Sequence, residues 1–121
     1  MGKLIDSSGS TFRWLSKIKS IIHVKVPSLT YRESKHWASI HNPETGKNIV
    51  YFHPTSNGIM LFTKLNHMSD GVLQPSPSSK QWKAYPSVYT MRSEDDIDKA
   101  VQLIINSYLE DKKEKRKKQN Q

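Results

Sequence analysis

The stretch YRESKHWASIHNPETGKNIVYFHPTSNGIMLFTK, residues 31–64, decides the fold. Its β-branched and aromatic residues fall into short runs separated by two groups of turn formers, which is the pattern of consecutive antiparallel strands. In the first run, Trp37 alternates with Ala38 and Ile40 on the opposite face, giving an expected strand over Lys35–His41. NPETGK follows as a turn in which Asn42 and Pro43 favour initiation and Gly46 supplies a positive φ. IVYF forms the body of a second strand, Asn48–His53. The Asn57-Gly58 pair is a hairpin signal that places Gly58 at positive φ and leads into a third strand, Ile59–Lys64.

Upstream, residues 1–10 are rich in Ser and Gly and read as a flexible lead. From Phe12 to Val24 the apolar residues Phe12, Leu15, Ile18 and Ile22 share one face, so a helix is expected there, capped by Thr11 and ended before Pro27. Downstream, residues 65–86 contain three prolines and no sustained periodicity, and read as a long loop. Loops beyond about 15 residues are uncommon in small domains unless they serve a function or move, which draws attention to Lys80, Trp82, Lys83 and Tyr85.

A further strand over Ser87–Met91 precedes the clearest helix. Ser93 suits its N-cap, Glu94, Asp95 and Asp96 suit the positive end of its dipole, and Ile97, Ala100, Val101, Ile104 and Tyr108 form its apolar stripe. Past about residue 112 the pattern predicts fraying into a basic, disordered tail, 112–121.

These elements predict one α+β domain over residues 11–111: an N-terminal helix, a curved antiparallel sheet of about four to six strands built from hairpins, and a packed C-terminal helix. A chain of 121 residues has room for one modest core. It has no cysteine, no run of 18 apolar residues and no apolar leader at its start, so the expected setting is cytoplasmic, with no membrane partner.

Nineteen Lys and Arg against eleven Asp and Glu give a net charge of +8, which predicts attraction to polyanions. The run KKEKRKK, residues 112–118, has six basic residues and one acid, so it holds +5 of that charge and the body only 8 − 5 = +3.

Catalysis finds little support. His36 and His41, five apart on one strand, would point to opposite faces, and neither an HExxH nor a paired-Cys motif is present. Glu33 and Lys35 make a local Glu-x-Lys pattern of the kind metal-dependent nucleases use, but without a second carboxylate on a preceding strand. Nor is there a GxSxG, a Walker loop or a GxGxxG, so the expectation is a binding protein and not an enzyme, with no cofactor and no metal.

Basic residues interleaved with aromatics, by contrast, suit phosphate neutralisation and base stacking. The candidate nucleic-acid contacts are Arg32, Lys35 and Lys47 around the first hairpin, Lys64 at the edge of the third strand, and Lys80, Trp82 and Lys83 in the long loop. Lys112, Lys113, Lys115, Arg116, Lys117 and Lys118 form a sequence-blind phosphate arm. The competing reading is an accessory or protein-interaction subunit, for example of a defence or nuclease system, with Trp82 as the anchor.

Residues 31–64 also resemble a known family. Tyr31, Arg32 and Ser34, then Ala38 and Ile40, Gly46 and Asn48, Phe52, the Asn57-Gly58 turn, and Met60, Phe62 and Lys64 are similar to the core of the double-wing DNA-binding domains of MotA-type phage transcription factors. PSVYTMRSEDDIDKAVQLIINSYLE occupies the equivalent later position. The segment is similar, too, to a small C-terminal domain of bacterial proteins described as predicted transport proteins and, more distantly, to MmcQ/YjbR-like proteins. The resemblance implies a curved antiparallel sheet with helices on one face, whose concave face or hairpin wings meet duplex DNA.

Overall fold

The computed structural model describes residues 10–33, 37–55, 58–66, 71, 73–76 and 85–119. The first helix, α1, spans Ser10–Lys25 and ends where Pro27 removes a donor and fixes φ. Thr11 lies inside it, so the helix starts at or before the cap expected from the sequence. Strands β1 (Thr30–Glu33), β2 (Ala38–Asn42), β3 (Lys47–Thr55) and β4 (Gly58–Thr63) follow as an antiparallel meander. β2 takes the place of the strand expected over Lys35–His41, and β1 is an additional strand upstream of it. Lys35 and His36 lie outside the described residues.

After β4 come the two-residue strand β5 (Gln74–Pro75) and β6 (Ser87–Met91). The strand order is β1-β2-β3-β4-β6-β5, antiparallel throughout, in a six-stranded sheet. Lys64 stands directly after β4, at the end of the third expected strand, and β4 lies in the middle of this sheet. The expected loop over 65–86 therefore contains an edge strand, where a proline removes no ladder bond that the sheet needs.

Glu94–Asp96 form a single 3-10 turn that feeds α2, Ile97–Gln119. Asp96 secures this start by accepting hydrogen bonds from the backbone N–H groups of Arg92 and Ser93, at 2.8 and 3.2 Å. The helix continues through the basic run to Gln119 instead of ending near residue 112. Lys, Arg, Glu and Gln are good helix formers, and cations at a C-terminus complement the dipole, which accounts for the extra turns.

Both helices cover one face of the sheet. Leu15, Ile18 and Ile22 of α1 and Ile97, Ala100, Val101, Leu103 and Ile104 of α2 close over Ala38, Ile40, Val50, Phe52, Ile59, Leu61, Tyr89 and Met91. Strand alternation assigns these strand residues to one side, because pairs such as Ala38 with Phe52, Phe52 with Leu61, and Leu61 with Tyr89 lie in one cross-strand row.

The β3–β4 hairpin explains a glycine. The register pairs Thr55 with Gly58, which leaves Ser56 and Asn57 between the strands, one residue earlier than the expected Asn57-Gly58 centre. Asn57 itself is outside the described residues. Gly58 does have a positive φ of 146°, and a Cβ there would overlap the carbonyl oxygen of Met91. Glycine is required both by conformation and by close approach of β6.

Candidate nucleic-acid interface

The face without helices is built from the other half of each strand's alternation. One row crosses the whole sheet: Arg32, Ser39, Tyr51, Phe62, Val88 and Gln74 are successive cross-strand partners. A second row holds His53, Met60 and Thr90. Trp37 stacks on His53, with ring centroids 4.3 Å apart and planes inclined by 30°. None of the residues in these rows is an Asp or a Glu.

Phe62 and Val88 are buried here although no helix covers them, because Trp37, Tyr51, Met60 and Tyr85 pack around them. Tyr51 meets two of these rings edge to face. Tyr51 lies at 86° to Trp37 and at 87° to Tyr85, the arrangement favoured by aromatic quadrupoles. A polar chain orients them: His41 Nδ1 and Asn48 Oδ1 are 3.1 Å apart, Asn48 Nδ2 donates to the Tyr51 hydroxyl at 2.7 Å, and the Tyr85 hydroxyl donates to the Asn48 carbonyl at 2.7 Å. His53 Nδ1 is buried and makes no hydrogen bond among the described residues. The result is a half-exposed aromatic surface with fixed ring orientations, flanked by exposed Arg32 and Lys47.

The other sequence candidates divide sharply. Lys64 is not a surface contact: its side chain is 3% exposed and its Nζ lies 2.7 Å from Asp111 Oδ1 on α2. The same carboxylate accepts from Thr45 Oγ1 and, at 3.2 Å, from Asn42 Nδ2. Nearby, Ser107 Oγ accepts from the Lys64 backbone N–H at 2.9 Å and donates to the Ile49 carbonyl at 2.7 Å. Burial pushes the Asp111 carboxyl up, but hydrogen bonds from Lys64 and Thr45, the charge of Lys64 and the Asn42 bond together hold it below its ordinary value. A buried lysine with a fully bonded carboxylate is a structural ion pair, which removes Lys64 from any list of phosphate contacts.

That pair has a second consequence. Through the same carboxylate, Asn42 and Thr45 fasten α2 to the β2–β3 turn, one residue before Lys112 begins the basic run. Lys112 Nζ lies 5.3 Å from the centroid of the Tyr108 ring, and Lys113 is exposed. The backbone of Lys115, Arg116, Lys117 and Lys118 occupies the last turns of α2. Lys80, Trp82 and Lys83 lie outside the described residues. Tyr85, at the end of that segment, is held by the Tyr51 contact and by its carbonyl accepting from Ser76 Oγ at 2.7 Å.

Sequence reasoning missed Asp111, Asn42, Thr45 and Ser107. The signal was available in part: Ser107 and Asp111 continue the α2 stripe at helical spacing, and polar residues at core positions require partners. Among the described residues, no three His, Cys, Asp or Glu side chains converge as a metal site would require. No helix of the described residues is long and apolar enough to cross a membrane. No protein family, curated protein or solved structure matches this chain.

Proposed function

We propose that this protein binds nucleic acid, duplex DNA foremost, through the helix-free face of its sheet and the basic end of α2. The observation that carries the reading is the cross-sheet row with Arg32 at its edge and Trp37, Tyr51 and His53 half-exposed beside it, with no carboxylate in the row or in the one alongside. Cations neutralise phosphates, and oriented aromatic faces add contact area to sugars and bases. Lys47 and the run from Lys112 to Lys118 would add phosphate contacts without reading bases. The likeness of residues 31–64 to double-wing domains supports the same reading.

The test is a titration of the full chain against duplex DNA, single-stranded DNA and RNA at two salt concentrations. Duplex affinity should fall steeply with salt, and Arg32→Ala and Lys47→Ala should each reduce the slope of log affinity against log salt by about 0.9. Both residues are exposed, so neither change should unfold the protein. Affinity that is absent, or that does not respond to salt, contradicts the reading.

A further inference from the structure

At the opposite end of the sheet from β5, strand β1 pairs with β2 on one side, and among the described residues no strand pairs with its other edge. Such an edge presents a row of backbone N–H and C=O groups able to accept another strand. Beside it, α1 and β1 enclose a groove of about 590 Å³. Its floor is apolar, formed by Ile22, Leu29 and Ile40, and its rim carries Lys19, His23 and the Tyr31 ring, with no carboxylate among its lining residues. Lys19 Nζ stands 5.4 Å from the centroid of the Tyr31 ring, which holds a positive charge over the strand edge. Burial first and Glu33 second raise the Tyr31 hydroxyl well above its ordinary value.

We propose that this groove binds an extended, acidic peptide segment of a partner protein, which adds a strand to β1. Main-chain hydrogen bonds to the edge supply affinity, while an alternate apolar side chain enters the groove between α1 and β1. Glu33 at the end of β1 fixes the orientation. It repels acid there, so the peptide's carboxylates belong near Thr30, where Lys19 and His23 stand. In antiparallel addition, the mode of every pair in this sheet, that is the peptide's C-terminal half. The groove lies on the helix-covered side of the sheet, although β1 also carries Arg32 on the other face, and the proposal does not rest on nucleic-acid binding.

The experiment uses the full chain and a fluorescein-labelled, acetylated hexapeptide with alternating valine and threonine in its first four positions and glutamate in its last two. Fluorescence polarisation should show saturable binding. Moving the glutamates to the first two positions, or N-methylating alternate amides, should weaken it by about ten-fold or more. Lys19→Glu and Ser20→Trp, both at exposed positions, should do the same by reversing the charge and filling the groove, while duplex DNA affinity measured on the same samples is unchanged for Ser20→Trp. Equal binding of the N-methylated or reversed peptide overturns the proposal. So does saturable binding of octanoate without binding of the hexapeptide, which would mark the groove as a small-molecule site.

Discussion

The two faces of the sheet come from the same strands and differ in how they treat polar groups. On the helix-covered face, aliphatic side chains are sealed and, among the described residues, polar side chains that reach the interior are bonded internally: Thr63 Oγ1 with Ser87 Oγ at 2.5 Å, Ser107 with two backbone groups, Lys64 with Asp111. On the helix-free face, polar tips orient aromatic rings but leave them half-exposed. One face is closed by packing, and the other is the surface proposed for contact. Substitutions on the first should therefore move unfolding curves, and substitutions on the second should move binding.

The largest effect is expected at the Asp111 pair. Asp111→Ala strands the Lys64 ammonium in the interior and should cost about 3–5 kcal/mol of stability, measured by urea unfolding. The double replacement Lys64→Met with Asp111→Leu should recover most of that loss, because it removes both charges together. Acid sharpens the point. Because the folded carboxyl titrates below its ordinary 3.8, its contribution is complete above about pH 5 and is lost as pH falls through the folded value. In Asp111→Asn this part of the acid limb disappears, so a wild-type acid limb in that variant would show that other carboxylates set it.

Gly58→Val comes next. Backbone strain at positive φ and overlap with Met91 should each cost about 1–3 kcal/mol, visible as a lowered melting temperature. An unchanged melting temperature would mean that β4 and β6 do not approach as closely as described.

On the other face, Trp37→Ala should weaken nucleic-acid binding by about 1–3 kcal/mol while changing stability less than Asp111→Ala does. The reverse order, a large stability loss with intact binding, would make Trp37 a cover for Phe62 and erase the contrast between the faces. The smallest per-residue effect belongs to the end of α2. Replacing Lys115, Arg116, Lys117 and Lys118 by alanine should lower affinity alike for all duplex sequences, with about 0.9 lost from the salt slope for each phosphate contact removed. Circular dichroism should show the helix retained, since alanine is the best helix former.

Much of this fold was legible in the sequence because local chemistry and tertiary structure agree. The β-favouring run IVYF forms the body of β3, Gly58 marks its hairpin, and Ile97, Ala100, Val101 and Ile104 form the stripe that α2 buries. What was hidden depends on contacts distant in sequence. Lys64 at a strand end reads as a solvent-facing cation until Asp111, 47 residues later, is brought to it. The edge strand β5 is short and contains Pro75, so nothing in its own sequence distinguishes it from loop. Thr30–Glu33 is too short to display a period, so β1 has no signature of its own. Of the candidate site, Arg32 and Lys47 are exposed as expected, whereas Tyr51 and His53 join Trp37 only through a register that no local pattern states.

The central claim is that the helix-free face carries the binding surface. Its most direct test is the change in amide and side-chain NMR shifts of the full chain when a short duplex DNA is added at low salt. The account predicts perturbations at Arg32, Trp37, Tyr51, His53 and Lys47, together with the end of α2, and none at Leu15, Ile18 or Val101 beneath the other face. Shifts confined to residues 112–119, with the sheet silent, would contradict it.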